Sequence, residues 1–525
     1  MTDSQEVKAH PKPALINYVA AIFAATGSFL FGYDSGIIGS VISANYDQFH
    51  LYFDHPSDAI LGAIVSVFAG GAFFGALVAG QTADRIGRKR TIQLGAATAV
   101  IGCTIQTAAI NAGMLIAGRF IAGLAIGVLS MIVPMYQAEI SPPHARGLLS
   151  GWTQMMISWG FFAANWIGYG TQFLTTTSQF RIPLAIQIVP AVLLLLGMFV
   201  LPYSPRWLAK QGRTEEARQT LIRLHGGHGQ AKMEAVEAEI ESMVAQIDWE
   251  RDNLKSSYRD LVNTRPNLHR TVCGCLVQAM CQWTGVNVNN YFGPTIYNAL
   301  GYSGHETLMI NGISGAWGLI GLAEGSRSSM DPSPLLFGKS LLVGRPPKAY
   351  VYSMAWQTGT SAPFYTDPNY HNKGTGIAGI AAVFAFSWAF SWSFGPVSWI
   401  YQSEIFPMNI RALGTSTATA CNWLNNVIIA QITPYAFSSL GYKYFIVYAV
   451  TSCTNGVLCY LLFPETKNKT LEEIALLFGD TNNVAVLAPQ EAGQGASDAA
   501  DIKDLDAAEH IELRSNQHND VHSAV

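Results

Sequence analysis

Tyr136-Gln137-Ala138-Glu139-Ile140-Ser141-Pro142, with Arg146 four residues further on, recurs as Tyr401-Gln402-Ser403-Glu404-Ile405-Phe406-Pro407 with Arg411. Tyr, Gln, Glu, Ile, Pro and Arg coincide at one offset, more agreement than chance supplies, and this marks an internal repeat. Each copy closes the fourth apolar stretch of its half. The chain therefore reads as two six-helix repeats with a site between them, an arrangement found in membrane carriers. Glu139, Arg146, Glu404 and Arg411 then have two readings: charges solvated in a loop, or a clamp that closes the cytoplasmic side in one state and opens in the other.

Outward from the repeat, apolar blocks occupy residues 59–80, 91–110, 113–135, 148–170 and 182–201, then 271–297, 376–401, 415–437 and 442–463. Each is long enough to cross a hydrocarbon core, which takes roughly 20 helical residues. Only 13% of the 525 residues are charged, against about 25% in soluble proteins. Lipid offers the backbone no hydrogen-bond partners, so these blocks must be helices, with glycines where helices approach closely. The fold class expected is an all-α membrane protein of about 12 transmembrane helices.

Residues 1–14 are polar, lack a small-residue cleavage site and read as a cytoplasmic N-terminus. Residues 15–202 form the first six-helix half, 203–269 a charged loop with short helices, and 270–463 the second half. Residues 464–525 read as a cytoplasmic tail, disordered beyond Phe478 because it lacks aromatics and is rich in Ala, Gly, Asp, Glu and Asn. Arg85, Arg88, Lys89, Arg90 and Arg146 lie in loops of one side, whereas 41–57 holds no Lys or Arg. The positive-inside rule makes the cationic side, and with it both termini, cytoplasmic. No basic stripe suggests nucleic acid. The seven cysteines all fall within apolar spans, and Cys273 and Cys275, two apart on a helix, face different ways and make a poor metal pair. His225 and His228 flank glycines in a polar loop and read as solvated. Neither a metal site nor a cofactor is expected, and no nucleophile with a base appears, so an enzyme is the least supported class.

At this point the sequence resembles the sugar porter family of the major facilitator superfamily, fungal hexose carriers in particular, over nearly all of residues 15–473. Gly80-x-x-x-Asp84-Arg85-x-Gly87-Arg88-Lys89 matches the loop motif between spans two and three. Arg119, Pro134-x-Tyr136-x-x-Glu139 and Arg146-Gly147 match the span-four signature. Pro202-Tyr203-Ser204-Pro205-Arg206 matches the pattern after span six with Tyr203 in place of Glu, and Pro464-Glu465-Thr466-Lys467 matches the closing signature. The resemblance implies a monosaccharide carrier working by alternating access as a monomer in the plasma membrane, with Asp84, Arg85 and Arg88 joining the cytoplasmic gate. Gln154 corresponds to the span-five glutamine that contacts sugar. In span seven Gln282 and Asn287 carry over, but Cys281 stands where the family has another glutamine. Trp399 resembles the tryptophan that stacks on the sugar ring, and Asn422 and Asn426 the span-eleven asparagines. Ser391 stands where several members have Glu. The chemistry is coherent on its own terms: amides donate to and accept from hydroxyls, and an aromatic face covers the apolar side of a pyranose.

Asp34 in the first span and Arg119 in the fourth are opposite charges inside the membrane, where an unpaired charge costs about 2.5–3.5 kcal/mol even on lenient scales, so they are expected to pair. In proton-coupled members the equivalent pair carries the coupling H+; the alternative is a structural ion pair. The second half departs from the family after span eight. The apolar run 310–323 is only about 14 residues before Glu324, Arg327 and Asp331. Pro334-Leu335-Leu336-Phe337-Gly338 resembles the start of span nine, yet Gly344-Arg345-Pro346-Pro347-Lys348 interrupts its continuation. Helices eight and nine are thus abnormal as written, as a frameshifted or mis-spliced exon within about 321–352 would make them; the rival reading is a real carrier with a broken helix eight. The second functional class is a nutrient sensor on a carrier fold, disfavoured by a short tail with no evident motif. Facilitated diffusion, and transport of a polyol or quinate, share the same framework.

Overall fold

A computed structural model describes residues 15–141, 146–225, 230–253, 257–330, 346–367, 370–407, 409–465, 474 and 476–479. Among the described residues there are helices and no strands. They fall in a unit ending at Asn468 and a second unit, Lys469–Val525, of which residues 474 and 476–479 form a helical turn closed by Phe478 N–H on Ile474 O. Residues 1–14 and the tail expected to be disordered lie outside the described residues.

The first six passes are α1 and α2 (Leu15–Ala24, Thr26–Val41), a short surface α3 (Asp47–Tyr52), α4 (Asp58–Ile86), α5 (Arg88–Thr107), α6 (Ala112–Ile140), α7 (Arg146–Thr171), and α8 with α9 (Ser178–Ile186, Ile188–Gly197). The charged connection folds as α10 (Pro205–Lys210), α11 (Thr214–His225) and α12 (Gln230–Asn253), which share a small apolar core of Trp207, Leu221, Val236 and Ile240. The second six passes are α13 with α14 (Arg265–Gln282, Val286–Ala299), α15 (His305–Met330), α16 (Pro346–Thr366), α17 with α18 (Lys373–Trp392, Phe394–Glu404), α19 (Arg411–Leu440) and α20 (Tyr444–Leu462).

Six helical stretches, Val19–Val41, Asp58–Ile86, Ala112–Ile140, Ser178–Gly197, Lys373–Glu404 and Arg411–Leu462, are long and apolar enough to span on length and composition alone. Among those that fall short are α7, α13 with α14, and α15. These carry most of the amides of the central cavity, and their polarity is directed inward rather than at lipid.

Helix eight extends beyond its apolar run. α15 continues to Met330, and Glu324 on it accepts a 3.1 Å hydrogen bond from Trp388 Nε1 of α17, which partners a carboxylate an apolar count would end on. Pro346 and Pro347 open α16, the end where a missing N–H costs nothing. Residues 331–345, including Pro334–Gly338 and Arg345, lie outside the described residues.

Glycines set the helix spacing. Gly71 and Gly75 on α4 face Gly123 and Gly127 on α6, a reciprocal pair of small-xxx-small faces: added Cβ atoms would sit 2.2 and 2.1 Å from Phe120 O and Leu124 O, and 2.1 Å from Phe68 O and from Ala72 O. That contact brings Arg119, one turn before Gly123, against α2 and α4. Gly32 of α2 and Gly160 of α7 do the same, with Cβ positions 1.9 Å from Ile157 O and 2.2 Å from Phe29 O, which fixes the height of Gln154. The halves meet along α4 and α19, where Ser66 Oγ donates to Gln431 Oε1 (2.7 Å) and Ser416 Oγ to Ala76 O (2.6 Å). They also meet where α7 crosses α15.

Candidate substrate cavity and buried ion pair

The seventh pass is broken by Gly285, whose φ of 88° lies in the left-handed region that glycine tolerates. α14 kinks again at Phe292 (φ −116°, ψ 19°), two residues before Pro294, which cannot donate to the carbonyl of Asn290. Discontinuous helices of this kind leave backbone groups and the N-terminus of a half-helix free to face a site. The tenth pass breaks at Ser393, whose hydroxyl pairs with Tyr350.

Between the halves lies a cavity of about 120 Å³, room for on the order of ten water positions. Gln154, Gln282, Asn287, Trp399 and Asn422 all line it, as do Cys281, where the family has Gln, and Ser391, where several members have Glu. Among the described residues, none that lines it carries a charge. Four amides form a directed chain. Asn287 Nδ2 donates to Gln282 Oε1 (2.6 Å), Gln282 Nε2 to Asn422 Oδ1 (2.9 Å), Asn422 Nδ2 to Gln278 Oε1 (2.6 Å) and Gln278 Nε2 to Ser398 O (3.2 Å). Each bond polarises the next, so the chain holds these side chains in fixed orientation. Trp399, half-buried, meets Phe31 edge-on at 6.5 Å, and Phe31 leans on Trp423. α18 approaches Gln154 at Gly395, where a Cβ would lie 3.4 Å from its Nε2, in ordinary contact.

Asn426 is not on the cavity wall. Its Nδ2 donates to the Tyr291 hydroxyl at 3.1 Å, tying α19 to α14 behind the lining. Conversely, sequence reasoning passed over Gln278, fully buried and orienting Asn422, and the lining amides Asn165, Asn289, Asn290 and Asn311. The signal was available, since every amide inside an apolar helix is a functional candidate. Asn165 and Asn311 clasp the halves: Asn311 Nδ2 donates to Asn165 Oδ1 (3.0 Å) and Asn165 Nδ2 to Asn311 O (3.3 Å).

Asp34 and Arg119 pair as expected from their opposite charges. Arg119 Nη1 lies 2.7 Å from Asp34 Oδ1 and also donates to Asp34 O (3.2 Å). Nε donates to Ile64 O (3.2 Å), and the guanidinium sits 4.2 Å from the Phe68 ring centroid. Both side chains are buried, and Asp34 Oδ2 has no partner.

At the loop end Arg88 is buried and bonds Glu139 through Nε (3.0 and 2.9 Å) and Asp84 through Nη1 (3.2 Å). Ser204 Oγ donates to Glu139, and Lys210 lies 3.4 Å from Asp84. Tyr203, where the family has Glu, takes the Lys89 cation over its ring at 5.0 Å, an aromatic substitute for a carboxylate. Arg85 is exposed. In the second half Glu404 is half-buried at the end of α18, and Arg411 Nε donates to Phe406 O at 3.1 Å. The Arg146 side chain lies outside the described residues.

Two sets of six passes around a neutral, amide-lined cavity, with broken helices beside it and a buried ion pair in one half, define a polytopic membrane carrier. A family model described as "Sugar (and other) transporter" matches residues 20–478, and the chain belongs to that family, within the major facilitator superfamily. It is a multi-pass transporter and not an enzyme. The chain is 33% identical over 470 residues to the MFS-type transporter criB of Aspergillus cristatus, covering 88% of this chain and 93% of that protein. It is 32% identical to a high-affinity glucose transporter of Kluyveromyces lactis (88% and 85% covered) and 32% identical to a quinate permease of Neurospora terricola (88% of each). Among solved structures it is similar to the proton:xylose symporter XylE bound to 6-bromo-6-deoxy-D-glucose, with a TM-score of 0.74, 23% identity, and 88% of this chain and 99% of that one covered. That likeness bears on the fold.

Proposed function

We propose that this protein carries an uncharged monosaccharide, a hexose or pentose, across the plasma membrane by alternating access, in symport with a proton. The observation that carries the reading is the cavity wall: amides and serine hydroxyls beside apolar and aromatic side chains, the half-buried Trp399 among them, with no charge among the described lining residues. Hydroxyls need partners that both donate and accept, which amides supply. A quinate carboxylate would enter without a cation to pair with, and an unpaired buried charge is far costlier than an unpaired hydroxyl. Among the relatives, this favours the glucose transporter's substrate over the quinate permease's. Gln154, Gln282, Asn287 and Asn422 would bind hydroxyls, and Trp399 would cover the ring. Asn426 would serve by holding α14 in place.

The Asp34–Arg119 pair supports proton coupling, because a buried carboxylate with one free oxygen and one cationic neighbour can exchange a proton as the cation moves. Asp84, Arg85, Arg88 and Glu139 would gate the cytoplasmic side, with Arg146, Glu404 and Arg411. Both termini would be cytoplasmic and the working unit a monomer. Radiolabelled D-glucose and D-xylose uptake in cells lacking their own hexose carriers, with the pH of a weakly buffered medium recorded, tests this. Saturable uptake with alkalinisation is expected. Uptake without a pH change would leave a uniporter, and no uptake of either sugar despite surface expression would reject the monosaccharide reading.

A further inference from the structure

We infer that Asn289 is a further hydroxyl-binding position of this cavity, one that reads two adjacent hydroxyls of the substrate. The inference rests on the proposal that the substrate is a sugar. Asn289 lies on the cavity wall and is 5% exposed, and both of its polar atoms, Nδ2 and Oδ1, are buried without a hydrogen-bond partner. Gln282, Asn287, Asn422, Asn165 and Asn311 on the same wall are all bonded. A fully orphaned buried amide is rare and costs stability, so its retention calls for an absent partner. It occupies an open position of the span-seven pattern, between Asn287 and Tyr291, where the motif requires no amide.

α14 has little freedom to turn Asn289 elsewhere. A Cβ on Gly39 of α2 would lie 2.6 Å from Tyr291 O, and Asn426 holds the Tyr291 hydroxyl. A side-chain amide presents one acceptor beside two donors, and vicinal hydroxyls present the complement: one donates to Oδ1 while its neighbour accepts from Nδ2. The substrate class is therefore a sugar with an intact vicinal diol where it meets Asn289. A carboxylate offers only acceptors and would oppose Oδ1.

The test is uptake of D-glucose, D-xylose and the 2-, 3- and 6-deoxyglucoses by wild type, Asn289→Leu and Asn289→Ser, normalised to surface amount. Wild type is expected to lose at least tenfold in KM for the deoxy sugar that lacks a hydroxyl read by Asn289. In Asn289→Leu the KM for the parent sugar should rise at least tenfold and that penalty should vanish. Purified Asn289→Leu should melt above wild type without sugar, since an orphaned amide has been replaced by an apolar side chain of similar shape, and should gain less from added sugar. Asn289→Ser, small and polar, carries the same comparison if the leucine variant is poorly expressed. Unchanged KM and an unchanged deoxy-sugar ranking in both variants would overturn this inference and leave the sugar reading standing. Wild type without saturable uptake of any of these sugars would overturn both.

Discussion

Replacing Asp34 by Asn probes the buried ion pair most directly. The substitution keeps an acceptor oxygen near Arg119 Nη1, now 2.7 Å from Oδ1, and leaves the contacts to Asp34 O, Ile64 O and the Phe68 ring. The negative charge disappears. Removing one partner of a buried pair costs about 3–5 kcal/mol. The remaining carbonyls and a cation–π contact of about 0.5–2 kcal/mol place this variant near the lower end, at about 3 kcal/mol. Against a typical total of about 5–15 kcal/mol, the variant should still fold, at reduced abundance. The surviving molecules should exchange sugar across the membrane but not concentrate it, because Asn cannot carry the proton. The double variant Asp34→Asn, Arg119→Gln removes the stranded cation and should recover abundance without recovering accumulation. The assay is surface biotinylation together with sugar-induced alkalinisation and the steady-state ratio of internal to external sugar. Concentrative, proton-linked uptake by Asp34→Asn would refute the relay. Recovery of accumulation by the double variant would refute it equally.

Asn287→Ala breaks the first link of the amide chain and leaves Gln282 Oε1 unpaired, so sugar affinity should fall by about 1–3 kcal/mol, read as a weaker Kd in equilibrium binding; an unaltered Kd in a well-folded variant removes Asn287 from the site. Gly71→Ala puts a methyl 2.2 Å from Phe120 O, a backbone atom that cannot step aside, so α4 and α6 must separate at a cost of about 1–3 kcal/mol; a melting temperature equal to wild type would contradict that packing. Sequencing the transcript across codons 321–352 should reveal a different reading between α15 and α16, and an unaltered message would dispose of the mis-splicing explanation.

The fold was legible where physics leaves one choice. Uninterrupted apolar blocks in lipid must be helices, and the Tyr-Gln-x-Glu-Ile-x-Pro repeat fixed which blocks correspond. The extent of α15 escaped, because an apolar count ends at Glu324 while the helix does not. The carboxylate is carried past that point by Trp388, sixty-four residues away, and no local window contains both. The glycine faces of α4 and α6 were legible as spacing, Gly71 to Gly75 and Gly123 to Gly127. Their mutual engagement, which delivers Arg119 to Asp34, required the packing itself.

The site divides along the same line, and Asn422 and Asn426 show why. They stand four apart on α19, on one helix face and equally buried, so nothing in their spacing separates them. Yet Asn422 borders the cavity and Asn426 does not. The difference originates on α14, where Gly285 restarts the helix and Phe292 and Pro294 bend it, so that Tyr291 comes level with Asn426 and occupies its amide. On the same helix Asn289 lies on the wall with both polar atoms unpartnered. A glycine, a kink and a proline on one helix thus decide which amides of another border the cavity. The type of residue needed can be read from sequence, whereas the choice among equivalent candidates belongs to the geometry of a broken helix.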